Sequence, residues 1–201
     1  MSRTTCKICR RLGESICGRQ KCAYKKKPYP PGKLDSEKKH KSVRSEYGGY
    51  LTEKQKVRHT YGVSEKQFSN YVKNVRAKKG RNSSEALYDL LERRLDNVVY
   101  RLGLVSSRAL ARQLVSHGHI TVNGRKVTIP SYSVAVGDKV SVRNGSKTIS
   151  PFKDLKDRLG KHPIPSWLKV NPEGAVAEVQ GKPKDSNPVF NLNSVIEFYS
   201  R

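Results

Sequence analysis

Apolar residues, acidic residues and long hydrophobic runs are all scarce in this chain. Aliphatic and aromatic residues make up 35% of its 201 residues, enough for one ordinary core or two small ones. No apolar run approaches the roughly 20 residues that span a bilayer. No basic helix carries the aromatic face of a surface anchor either, so the sequence argues against a membrane partner. The opening MSRTTCKICRR lacks the apolar core of a secretion signal, which sets the expectation of a reducing, cytoplasmic compartment. Asp and Glu number 17 against 41 Lys and Arg, and the resulting net charge of +24 is a self-repulsion that an anionic partner relieves. Nucleic acid is the leading class. No Ser-His-Asp set, paired carboxylates or Gly-rich phosphate loop is present, so neither catalysis nor a small-molecule substrate is expected.

What is there begins with cysteine. Cys6, Cys9, Cys17 and Cys22 follow the pattern Cys-x2-Cys-x7-Cys-x4-Cys and include every cysteine of the chain. The first pair forms a tight knuckle, and the second is close enough in sequence to complete a tetrahedron of thiolates. Structural zinc is the first reading; a thiolate-bound iron-sulfur cluster and four metal-free cysteines are the alternatives. With four protein ligands no position is left open for chemistry, so the metal would act through folding. Arg3, Lys7, Arg10, Arg11, Arg19, Lys21, Lys25 and Lys26 surround these cysteines, and PYPPGK follows as a proline-stiffened connector. Residues 1–60 hold 17 Lys and Arg against 5 Asp and Glu, half of the net charge. A solvated tail is the plain reading of such a run; a metal knot would instead fix the cations in space.

Helical signals come next. Thr52-Glu53-Lys54-Gln55 and Ser64-Glu65-Lys66-Gln67 both match a capping box, and Asn82-Ser83-Ser84-Glu85 offers a third start. The first helix presents Lys54, Lys56 and Arg58. The second spaces Phe68, Tyr71, Val72 and Val75 as a buried face, with Lys73 and Arg76 among the cations beside it. Leu87, Leu91, Leu95, Val98 and Leu102 give the third a continuous seam up to Gly103, leaving Arg94 off the seam. In the following helix Ser106 is the expected cap. Arg108 and Arg112, four apart, share one face near His117, an arrangement suited to successive phosphates. His117 and His119 lack a third ligand nearby and are not read as a metal site. After Gly118 the period changes from helical to alternating. Ile120 and Val122 lead into Asn123-Gly124, a pair suited to a two-residue hairpin turn, with Arg125 just beyond. Val134, Val136, Val140 and Val142 suggest further strand. Trp167, Leu168 and Val170 mark a packed turn, and residues 175–179 alternate like a short strand.

The run SSRALARQLVSHGHITVNGRKVTIPSYSVAVGDKVSV resembles the RNA-binding module named after bacterial small-subunit ribosomal protein four. EKQKVRHTYGVSEKQFSNYV, RRLDNVVYRLG and the terminal IEFYSR resemble the cysteine-containing form of that ribosomal protein family, in order and over nearly the whole chain. The implied fold is α+β. It has a zinc-knot N-terminal segment at 1–42, a small helical domain at 43–91 with a C-terminal segment, 150–201, packing back on it, and an inserted α/β RNA-binding module at 92–149. That module comprises two helices, a hairpin and further short strands.

The resemblance further implies a structural constituent of the small ribosomal subunit. It would bind a multi-helix junction in the 5′ domain of the small-subunit (16S) rRNA, nucleate assembly and contribute to translational accuracy. Ribosomal proteins five and three, and mRNA near its entrance, would be its neighbours. A free-standing RNA-binding regulatory or stress factor built on the same module is the alternative. Arg94-Leu95-Asp96 also resembles the catalytic motif of pseudouridine synthases, but Asn97-Val98 replaces the expected Thr-Gly. Only 105 residues follow Asp96, too few for a catalytic domain beside the module.

Overall fold

The computed structural model describes residues 5–19, 21–32, 45–77, 82–152, 159, 163–171, 176–183 and 190–200. The chain forms two compact units, one of Met1–Leu87 with Asn187–Arg201 and one of Tyr88–Ser186. Arg3 and the cations Lys78, Lys79 and Arg81 lie outside the described residues.

In the first unit, α1 (Cys6–Leu12) carries Cys6 and Cys9, Cys17 and Cys22 lie between it and α2 (Ala23–Lys26), and α3 (Glu46–Tyr61) and α4 (Glu65–Ala77) follow. Helix α3 starts six residues before the Thr52 signal. The Ser45 hydroxyl accepts from the Gly48 N–H at 3.2 Å, so the cap lies upstream, and the Thr52 hydroxyl instead donates to the Gly48 carbonyl at 2.7 Å within the helix. Two glycines in this first turn each disfavour helix by about 1 kcal/mol. The turn persists because it packs on the C-terminal helix α8 (Leu192–Phe198), with the Tyr47 and Phe198 rings 5.5 Å apart. Helix α4 begins as the sequence suggests: Ser64 accepts from the Gln67 N–H at 3.3 Å. Its Phe68, Val72 and Val75 are buried, so the stripe is core. Fully burying a side chain such as Phe68 stabilises by about 1.5–3 kcal/mol.

The expected continuous helix through Gly103 is broken. Helix α5 (Ser83–Glu92) stops, and α6 (Leu95–Arg101) begins three residues later. Between them the backbone pairs with a loop: the Leu95 and Asp96 N–H groups donate to the Tyr132 and Pro130 carbonyls at 2.9 and 3.1 Å. Val134 N–H donates to Arg93 O at 2.9 Å, and Arg94 bridges Ser133. These bonds replace the i to i−4 ladder while the leucine seam stays buried. Helix α7 (Arg108–Ser116) is capped by Ser107, not Ser106, whose neighbour's hydroxyl accepts from the Leu110 N–H at 3.3 Å.

Strands β1 (Ile120–Val122) and β2 (Arg125–Lys126) form the hairpin, with Asn123 at φ 51° and Gly124 at φ 78° as the turn requires. They join β3 (Lys139–Val142), β4 (Leu168–Asn171) and β5 (Val176–Val179) in an antiparallel sheet of order β2-β1-β3-β5-β4. Val134 is buried beside the bridge and Val136 is exposed in a turn, so neither lies in a strand. The C-terminal segment divides. Val140 pairs with Ala177 across β3 and β5, and Trp167 and Leu168 enter the core with Leu95, Val98, Leu114 and Ile120. Only the last stretch, with α8, belongs to the helical unit.

Candidate nucleic-acid interface

The N-terminal cysteines are gathered by α1, by the loop after it and by Cys22, which caps α2. The ligand sulfurs of Cys6, Cys17 and Cys22 all lie within 4.8 Å of one another. A tetrahedral zinc with bonds of about 2.3 Å needs sulfur–sulfur edges of roughly 3.8 Å, so small adjustments would close these three on an ion. Cys9 is fully buried beside them. Burial, together with a hydrogen bond to the Cys17 thiol, pushes the Cys9 thiol up to about 12. At Cys22 burial opposes ionisation, but hydrogen bonds from the Ser15 side chain, the Tyr24 backbone and the neighbouring thiols outweigh it and bring the pKa down to about 7. Cys22 thus ionises more readily than an ordinary thiol, while burial holds Cys9 and Cys17 toward the protonated form. Ile16 is buried with Cys9 and Cys22, a core of a few side chains that leaves this segment little apolar support of its own.

Around this knot Lys7, Arg11, Arg19, Lys21, Lys25 and Lys26 are exposed. Arg10 is half-buried and clamps the connector: its guanidinium donates to the Tyr29 and Pro30 carbonyls at 2.9 and 3.3 Å and sits 4.7 Å from the Tyr29 ring centroid.

The cations of α3 serve the fold. Lys54 is 5% exposed, pairs with Glu65 at 2.7 Å and lies 4.5 Å over the Phe198 ring. It faces inward and is withdrawn from the set of RNA contacts. Lys56 bridges Glu53 at 2.7 Å and Glu14 at 3.0 Å, tying α3 to the cysteine segment; burial disfavours its charge, but the two carboxylates win and raise its pKa. Arg58 contacts Gln55, His59 and Glu65. Burial, reinforced by Arg58, lowers the pKa of His59. Lys73 is exposed on α4, and Arg76, also exposed, donates to the Tyr199 carbonyl at 2.6 Å.

In the second unit Arg94 is 1% exposed and forks onto Asp96 at 3.0 and 2.6 Å. It too is withdrawn, because a guanidinium closed on a buried carboxylate cannot reach a phosphate. The expected pair on α7 is held from behind: Arg108 donates to Asn97 Oδ1 at 2.8 Å and stacks 4.3 Å from the Tyr100 ring, while Arg112 lies 3.7 Å from Asp96. Both remain partly exposed. His117 and Arg125 are exposed; His119 contacts the Ser146 hydroxyl at 3.0 Å. Arg101 escaped the sequence reading as a contact candidate. It forks onto fully buried Glu92 at 2.9 and 2.8 Å, nine residues away, a relation that only the helix break creates.

Two family models match the chain without overlap. Residues 1–92 match the ribosomal protein S4/S9 N-terminal domain, and residues 93–140 match the S4 domain. A small ribosomal subunit protein uS4 of Roseiflexus sp. (strain RS-1) is 47% identical over 199 residues, covering 97% of this chain and 96% of that protein. The chain belongs to the uS4 family. The uS4 protein of Caldicellulosiruptor saccharolyticus is 45% identical over 204 residues and that of Syntrophomonas wolfei 42% over 206, each across 98% of this chain and at least 96% of the relative. The S4 domain match ends in β3, so within this uS4 family member the sheet continues beyond the matched module into β4 and β5.

Proposed function

We propose that this protein is a structural, non-catalytic constituent of the small ribosomal subunit that works in the cytoplasm by binding rRNA. The observation that carries this reading is the family likeness over nearly the full chain, to proteins named for that subunit at 42–47% identity. The finer reading is that it organises a multi-helix junction in the 5′ domain of 16S rRNA, nucleates assembly there and contributes to translational accuracy. It would lie beside ribosomal proteins five and three, near the mRNA entrance. A net charge of +24 distributed over two folded units suits converging phosphate backbones, whose A-form shape is recognised more than their sequence. The contact set is Lys7, Arg11, Arg19, Lys21, Lys25, Lys26, Lys73, His117 and Arg125 at the surface, with Arg108 and Arg112 on α7. Arg10, Lys56, Arg58 and Arg76 contribute chiefly as struts.

Zinc held by Cys6, Cys9, Cys17 and Cys22 is part of this proposal. The three clustered sulfurs and the adjacent buried Cys9 match an all-thiolate structural site in donor type and number. The metal would supply cohesion to the N-terminal segment and nothing to catalysis.

The test is a binding titration with a transcript of the 5′ domain. Log affinity should fall linearly with log salt by about 0.7–0.9 for each phosphate neutralised, and the folded transcript should outcompete an unstructured homopolymer. Equal affinity for both would defeat the shape-reading mechanism. Crosslinking in cell extract that recovers mainly mRNA or tRNA would favour the free-standing factor.

A further inference from the structure

Two buried acids stand out on a protein so rich in base. Glu92 is fully buried and Asp96 is 4% exposed, and both contact arginines that reach the surface. Glu92 takes the Arg101 fork on both carboxylate oxygens, and through Oε2 it also accepts from the Asn97 side-chain amide at 2.9 Å. A second bond from that amide, to the Glu92 carbonyl at 3.0 Å, fixes which way the amide points. Asn97 Oδ1 is thereby turned toward Arg108, which it accepts from at 2.8 Å, and the Tyr100 ring supports the same guanidinium. Asp96, closed on Arg94, has its Oδ2 3.7 Å from Arg112. The side chains of Arg101 and Arg112 remain 32% and 31% exposed, while those of their acidic partners are 0% and 5% exposed.

We propose that Glu92 and Asp96 are positioning residues, which hold Arg101, Arg108 and Arg112 as one preformed guanidinium face for the phosphates of structured rRNA. The inference rests on the rRNA-binding reading and adds to it Arg101, the two acids and a reason for shape selectivity. Four guanidiniums against two carboxylates leave the cluster net positive. Both carboxylates and Arg94 lie beneath the surface, while Arg101, Arg108 and Arg112 are partly exposed, so an approaching phosphate meets these three cations first. A free arginine must be ordered when it binds, and it adapts equally well to any polyanion. An arginine clamped from behind fits only phosphates that arrive at the right spacing. The α5–α6 break is what brings Glu92 and Arg101 together, so the interruption of the helix serves this arrangement.

The experiment compares the full-length protein with Glu92→Gln and Arg101→Lys, each titrated with the 5′-domain transcript and with polyuridine at fixed salt. Glu92→Gln removes a negative charge and loosens two arginines. Polyuridine binding should rise about threefold from the added net charge, while transcript binding falls on the order of tenfold. Arg101→Lys keeps the charge and loses the fork, so the transcript-to-polyuridine ratio should fall about fivefold. A purely structural role would lower both affinities together in step with loss of folded protein, measured by circular dichroism. An unchanged ratio in Arg101→Lys overturns the proposal even if Glu92→Gln fails to fold. If the unaltered protein does not prefer the transcript, the shape-reading mechanism beneath it falls instead.

Discussion

Replacing Arg94 by methionine should destabilise the second unit severely, although the change removes a residue with almost no exposed surface. Arg94 closes both oxygens of Asp96 at 3.0 and 2.6 Å, and the two side chains are 1% and 5% exposed. Arg94→Met leaves the Asp96 carboxylate buried, with the Arg112 guanidinium 3.7 Å away. Removing one partner of a buried ion pair costs about 3–5 kcal/mol. Arg112 would offset part of this, so a loss of roughly 3 kcal/mol is expected from that range. For a unit of about 100 residues, whose total stability is about 5–15 kcal/mol, such a loss lowers the melting midpoint by more than about 10 °C. Arg94→Met with Asp96→Leu removes both charges and should recover most of the stability, because apolar replacements of a buried pair are often neutral. Trp167 is the only tryptophan and is buried in this core, so its fluorescence in a urea titration reads the unit directly. A single variant within about 1 kcal/mol of the parent, or a double variant no better than the single, would refute the reasoning.

Three further outcomes follow from the geometry. Protein purified without added zinc should carry about one equivalent of metal; chelation should unfold the cysteine segment, seen as loss of amide protection over 5–32, while the Trp167 transition stays in place. Gly118 sits at φ 75°, and an added Cβ would collide with the Lys126 side chain; Gly118→Ala should therefore destabilise the second unit by about 1–2 kcal/mol in the same urea assay. At Glu65 burial favours the neutral acid, but Lys54, the Tyr199 hydroxyl and Arg58 outweigh it and lower the carboxyl's pKa. Its contribution is therefore complete above the ordinary carboxylate value and lost as pH falls through the lowered folded value. Thermal melts followed by circular dichroism should show Glu65→Gln less stable than the parent at pH 6 and the difference closing toward pH 3; a constant difference would sink this account.

Lys54 and Arg94 look in sequence like any other cations of a basic protein, and both are internal. Such a protein needs its few acids where they organise the many bases: Glu65 gathers Lys54, Arg58 and Tyr199, and Glu92 and Asp96 gather the arginines of α6 and α7.

Local chemistry was legible directly. The Asn123-Gly124 turn, the Ser64 cap and the buried stripe of Phe68, Val72 and Val75 depend on residues within a turn or two of one another, and periodicity reports such relations. The spacing of the four cysteines was enough to anticipate a metal-capable cluster, three of whose sulfurs lie together. Partners distant in the chain were not legible. The leucine seam from Leu87 to Leu102 reads as one helix because burial is continuous along it, yet the backbone at residues 93–96 pairs with a loop some forty residues on. The start of α3 was settled by α8, and the fate of residues 163–171 and 176–179 by pairing of β5 with β3 and β4. Sequence pattern determines which residues prefer to be buried and where the backbone can turn. Which cation meets a carboxylate and which stays at the surface depends on how separate elements close on one another, so only the tertiary structure could decide it.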